Sequence, residues 1–180
     1  MTGVLASLEA LPLAGRIRES LYLFPFIEAF HVIGLTMVFG TIAIVDLRLL
    51  GFASRRRPCS RVVLDTMKWT WAAFGLTVTT GLLMFITNAD VYYHNPFFRL
   101  KMAMLALAGL NVLMFELTAK RSIQHWDNAK SAPAAGRTAA ALSLVLWIAV
   151  IFMGRWVGFT STRGASKVDT DINIEDLLPK

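Results

Sequence analysis

Residues 29–50 read AFHVIGLTMVFGTIAIVDLRLL, and no charge interrupts them from Val32 to Val45. A hydrocarbon core about 30 Å thick takes roughly 20 residues of helix to cross. The polar face that a soluble surface helix carries is missing over most of this run. Three further runs read the same way. Residues 67–87 are uncharged from Trp69 onward, residues 97–118 are charged only near their ends at Arg99, Lys101 and Glu116, and residues 138–159 are uncharged up to Gly154. The expected fold is therefore all-α: an integral membrane four-helix bundle, since a membrane interior admits only helices or closed barrels and these runs are helix-length.

Composition agrees. Of 180 residues, 56% are hydrophobic and 17% charged, against roughly 45–50% and about 25% in soluble domains. Such apolar content excludes a disordered chain, and the single cysteine, Cys59, excludes a disulfide scaffold. Residues 1–20 are apolar first and basic last, the reverse of a signal peptide. They are expected to form an N-terminal segment lying on the membrane surface. The bundle then occupies 21–160, and 161–180 is a polar C-terminal tail. That tail carries Asp169, Asp171, Glu175 and Asp176 and is either solvated or a docking segment built on Ile172, Ile174, Leu177 and Leu178.

Loop charge sets the expected orientation. Loop 51–66 holds Arg55, Arg56, Arg57 and Arg61, and loop 119–137 holds Lys120, Arg121, Lys130 and Arg137, whereas 88–96 holds neither Lys nor Arg. The two basic loops are placed in the cytoplasm and both termini outside it. The net charge of +6 is thus a topology signal. Split between loops, it gives no nucleic-acid surface, and Arg55–Arg57 face the lipid bilayer's anionic inner leaflet.

Ionisable residues at membrane depth are functional candidates, because burying them is costly. Glu28, His31, Lys101 and Arg155 fall near the outer ends of their spans, with His94 and Arg99 flanking the outer loop. Glu28, His31, Lys101 and Arg155 are expected to face inward. A histidine at the depth of His31 serves a metal or cofactor, a proton relay with Glu28, or a hydrogen bond between helices. Gly34, one turn on, permits the close approach of a backbone or a flat cofactor. The single Glu28/His31 pair is half of a di-iron signature and lacks the other half. Zinc has no local ligand grouping. Met84, Met102, Met104 and Met153 leave copper transport open, although methionine is ordinary packing material. Haem b fits the residue set better than a bare metal: His31 is the first axial ligand, His94 or a deprotonated Lys101 the second, and Arg99, Lys101 and Arg155 are cations for the propionates. Tyr92, Tyr93, Phe97, Phe98 and Trp156 would shield the ring edge. Asp46 and Arg48 read as a structural set at the inner end, and His125 as a solvated or interfacial histidine.

The segments EAFHVIG at 28–34, DLRLLG at 46–51, GLLMF at 81–85 and GRW at 154–156, with a lysine one turn into the third span, resemble a group of small bacterial membrane proteins. That group is related to the copper-resistance protein CopD and the haem-biosynthesis protein HemJ. The resemblance implies a helical bundle in the bacterial cytoplasmic (inner) membrane that binds b-type haem and serves electron transfer, with a membrane or extracytoplasmic redox partner, or else oxidises a porphyrinogen. A HemJ-like histidine would correspond to His31 and its lysine to Lys101. The remaining reading is a non-enzymatic membrane subunit or anchor without a cofactor. Orientation is checked directly in a background with Cys59 replaced by serine. A membrane-impermeant maleimide is expected to label Val91→Cys in intact cells and Arg57→Cys only after lysis, and labelling of Arg57→Cys in intact cells would invert the topology.

Overall fold

The computed structural model of the chain describes residues 2–53, 56–117, 127, 129 and 132–168, without the side chains of residues 2, 116 and 161–168. The acidic and apolar tail residues at 169–178, His125, Arg55, Lys120, Arg121 and Lys130 lie outside the described residues. Every element among the described residues is an α-helix: α1 (Thr2–Glu9), α2 (Pro12–Glu19), α3 (Leu23–Leu50), α4 (Cys59–Thr87), α5 (Ala89–His94), α6 (Pro96–Leu117) and α7 (Ala134–Val168). Four of them, α3, α4, α6 and α7, are long and apolar enough to cross a membrane, which is the build of a multi-pass membrane protein.

Helix ends follow local chemistry. Pro58 precedes α4 and Pro96 opens α6, where the missing N–H costs nothing. Asn95 Oδ1 accepts from the Phe97 N–H at 2.9 Å, satisfying an orphan donor of the first turn of α6. Gly51, at φ 82°, ends α3 in a left-handed turn, and the Phe52 N–H returns to the Leu47 carbonyl at 2.9 Å. The helices begin earlier than the apolar runs at 29–50 and 67–87. Apolarity marks the stretch that lipid can contact, whereas backbone hydrogen bonding carries the helix on through polar turns such as Arg61–Lys68.

The spans pack as two hairpins, α3 on α4 and α6 on α7, joined along α3 and α7. The backbones of α4 and α6 do not pack on each other. The resulting order, α4–α3–α7–α6, is an open array with a cleft between its outermost members. At the end carrying α5, Phe85 of α4 stacks on Phe98 of α6 with centroids 5.6 Å apart, and Tyr92 of α5 closes the group. The N-terminal segment forms two helices, α1 and α2. It packs on α3, α4 and α5, burying Ala14 and Ile17 and anchoring Arg18 to the Thr87 carbonyl at 3.0 Å.

At the opposite end one side chain gathers three segments. Arg48, 1% exposed, donates to the carbonyls of Arg57 at 3.1 Å, Asp127 at 3.2 Å and Ala129 at 3.0 Å. Asp127 in turn accepts from the Ser60 N–H and hydroxyl, each at 2.7 Å. The Ser60 N–H, ahead of the Ser60 hydroxyl and the Arg48 charge, holds the Asp127 carboxyl below its ordinary value of 3.8. A depressed carboxyl contributes stability that is complete above the unfolded value and disappears as pH falls through the folded one. The thermal midpoint of the protein is therefore expected to drop on acidification below about pH 4. That step should shrink in Asp127→Asn; an identical acid profile in the variant would remove Asp127 from the lock.

Candidate functional site

His31 lies eight residues into α3, about 12 Å along its axis. Its Nδ1 is 3.0 Å from the Thr77 carbonyl oxygen and 3.1 Å from Thr80 Oγ1 on α4. The carbonyl can only accept. The Thr80 hydroxyl gives its own proton to the Leu76 carbonyl at 2.7 Å, so towards the ring it also accepts. Two acceptors place the ring proton on Nδ1, and in the neutral imidazole Nε2 then carries the lone pair. Neither hydrogen bond uses Nε2. A backbone carbonyl on one ring nitrogen is the arrangement that orients a metal-ligating histidine through the other.

Two glycines make this seat. A Cβ on Gly34 would stand 2.5 Å from Thr77 Oγ1 and 3.3 Å from the Thr77 nitrogen, and a Cβ on Gly81 would stand 3.0 Å from His31 Cε1. Hydrogen at both positions lets α3 and α4 approach closely enough for the imidazole to lie on α4. On the other hairpin Lys101 rests against Gly154, its Nζ 3.8 Å from where a Cβ would sit. Lys101 is within electrostatic range of His31. His31, Gly34 and Lys101 are thus brought to one depth, where α3, α4, α6 and α7 all contribute.

The other expected residues sit elsewhere. His94 on α5 is 63% exposed and is held by Asp90, with Nδ1 3.0 Å from the Asp90 carbonyl oxygen and 3.4 Å from its carboxylate. Arg99 is exposed. Glu28 and Arg155, expected to face inward, are exposed as well. Three residues of helix turn the chain by about 300°, so Glu28 points about 60° away from His31. Glu28 instead acts on Tyr92: burial first, and the Glu28 charge second, push the Tyr92 phenol above its usual value. Arg155 lies over the Phe159 ring at 5.4 Å, a cation–π contact. Phe97 meets Trp156 at 5.8 Å. Among the described residues no three of His, Cys, Asp and Glu converge as a metal cluster.

A second feature was not singled out from the sequence. Between α4 and α6, floored by α3 and α7, lies a cavity of about 560 Å³ whose lining includes Asp46, Asn111, Ser143 and Trp147. Asp46 was read as part of a structural set with Arg48. The two diverge, because Arg48 turns to the loops and Asp46 lines the cavity. The signal available was the polar residues Asn111 and Ser143 in otherwise apolar spans, with Ser143 and Trp147 four residues apart on one helix face.

A family model described as a family of unknown function, DUF6644, matches residues 6–160. The chain belongs to this family. No curated protein and no solved structure matches it, and the DUF6644 match carries no link to CopD or HemJ. The matched stretch of this DUF6644 protein spans both the His31 seat and the cavity.

The seat makes a steric prediction. Gly34→Ala is expected to lower the thermal midpoint by the equivalent of about 1–3 kcal/mol, the usual cost of overpacking. Gly40, where an added Cβ meets nothing within 4 Å, is the control: Gly40→Ala should leave stability unchanged or raise it by up to about 1 kcal/mol. Equal behaviour of the two variants would show that α3 and α4 do not depend on the close approach at Gly34.

Proposed function

We propose that this protein is a redox protein, or redox-complex subunit, of the bacterial inner membrane that binds b-type haem through His31. The observation that carries the proposal is the locked tautomer of His31: Nδ1–H held by Thr77 and Thr80, with the Nε2 lone pair left for a metal. The residues present fit the group. An imidazole donor is oriented by a backbone carbonyl, a glycine-lined seat holds the ring in place, and the Lys101 side chain lies at the same depth. Of the two schemes for the second ligand, Lys101 is favoured over His94, since His94 is exposed and engaged with Asp90. Arg99 and Arg155, exposed at this end, are suited to propionates at the membrane surface. The aromatic group Phe85, Tyr92 and Phe98 lies beyond Gly81 towards the α5 end and would shield the edge of a bound ring. Haem, when bound, supplies a one-electron couple; the chain's own residues orient the ligand. The resemblance to the CopD/HemJ group points the same way, with protoporphyrinogen oxidation as the second activity it implies.

The test is an absorption spectrum of the purified protein, reduced and oxidised. A Soret band with reducible α and β bands is expected, and His31→Ala should lose it while remaining folded. Thr80→Val, which removes one acceptor and keeps the other, should weaken haem retention about tenfold. His94→Ala should keep wild-type haem content. A folded His31→Ala with an unchanged spectrum would refute the ligand assignment. A colourless wild-type protein that takes up no added haem would leave the anchor reading in its place.

A further inference from the structure

The cavity between α4 and α6 contains two buried polar atoms whose hydrogen-bonding capacity the fold does not use. Asp46 is 6% exposed and Trp147 is 5% exposed. Among the described residues neither Asp46 Oδ2 nor Trp147 Nε1 has a hydrogen-bond partner. Both residues line the cavity. Both lie along one stretch of α7, because the Ser143 side chain sits beside the Asp46 carboxyl and Trp147 follows Ser143 by one turn. An orphaned buried acceptor or donor carries the full cost of losing its water. The same bundle satisfies its other mid-span polar groups internally: Thr70 donates to Thr41 at 2.9 Å, and Asn111 donates to the Ala139 carbonyl at 2.9 Å. An acceptor and a donor left open among the residues that line one cavity therefore mark a place where a ligand completes the hydrogen bonds.

We propose that this cavity binds a lipid-soluble quinol, one ring hydroxyl donating to Asp46 and another ring oxygen accepting from the Trp147 N–H. Three observations select that chemistry. The volume, about 560 Å³, lies in the range of small-molecule sites, roughly 300–1,000 Å³. The walls are apolar and aromatic, with Trp71 and Phe74 meeting edge to face at 6.0 Å, which suits a flat ring. The α4 and α6 backbones that flank the cavity do not pack on each other, so side chains alone border it there, the side from which a molecule dissolved in the bilayer would enter. The paired acceptor and donor match a ligand that carries both a hydroxyl and an acceptor oxygen on one rigid ring; a lipophilic cation would leave the Trp147 N–H unpaired. The cavity runs from Asp46 and Leu49 to Val38, Phe74 and Trp147; His31 is not in its lining and the test reads no haem, so the proposal stands or falls apart from the haem reading.

The experiment is equilibrium binding of decyl-ubiquinol to the full-length protein in lipid nanodiscs, with decylbenzene as the probe of equal chain length and no oxygens. Saturable binding of the quinol is expected, at least about tenfold tighter than decylbenzene, with a loss of about tenfold in Trp147→Phe and in Asp46→Leu. Trp147→Phe keeps an aromatic ring and loses the N–H together with the five-membered ring, so decylbenzene binding to the same variant is measured as the control for lost ring surface and must change less than quinol binding. If Asp46→Leu fails to fold, Trp147→Phe alone decides. No saturable binding, equal affinity for decylbenzene, or wild-type affinity in either folded variant overturns the proposal. The equal-affinity outcome would mean that the cavity holds acyl chains or another apolar surface.

Discussion

The Arg48 guanidinium is the fixed point of this bundle. A charge at 1% exposure in an apolar protein is tolerable only where its donors are met. Here they are met by main-chain carbonyls of Arg57, Asp127 and Ala129, which belong to two different loops. The requirement works in both directions. Arg48 needs those carbonyls, and loop backbone near a membrane surface needs donors that a helix no longer supplies. The Ala132 N–H returning to the Leu49 carbonyl at 2.9 Å and Asp127 holding Ser60 complete the lock. It ties the start of α4 and the approach to α7 to the end of α3. That joint brings the two hairpins together along α3 and α7 while leaving α4 and α6 apart.

The same rule of satisfied polarity explains how so many threonines sit in the spans. Thr66, Thr77 and Thr80 each return their hydroxyl proton to a carbonyl four residues back, at 2.7–2.8 Å. This removes the cost of the hydroxyl in an apolar environment. It also leaves each oxygen as an acceptor directed away from its helix. Thr80 uses that spare acceptor on His31. Thus the side chain that looks like a passive filler of α4 fixes which nitrogen of His31 carries a proton.

Fold class and spans were legible in the sequence because both depend on run length and charge, which need no partner. The placement of Arg48 as structural was legible for a similar reason: a charge beside a helix-ending glycine has few other uses. The depth of His31 and Lys101 could be counted along their spans. The seat could not, because the hydrogen bonds to Thr77 and Thr80 span about 50 positions of chain, and no local pattern specifies which face of α4 meets α3. Glu28 shows the converse limit. A three-residue spacing makes neighbours on a helix surface, yet a 60° offset is enough to leave one side chain on the partner helix and the other outside.

His31 and Asp46 sit on the same helix and pose the same problem, a polar group in an apolar span. The fold answers them differently. His31 meets two acceptors on α4, the Thr77 carbonyl and the Thr80 hydroxyl, so its polarity is answered across the α3–α4 contact that Gly34 and Gly81 permit. Asp46 lies against Ser143 of α7, and among the described residues its Oδ2 and the Trp147 Nε1 have no hydrogen-bond partner. Both of these atoms belong to residues that line the cavity between α4 and α6. The difference follows from the helix order: α3 packs closely on α4 over the length that holds His31, whereas the wall that holds Asp46 faces a space that α4 and α6, whose backbones do not pack on each other, leave open.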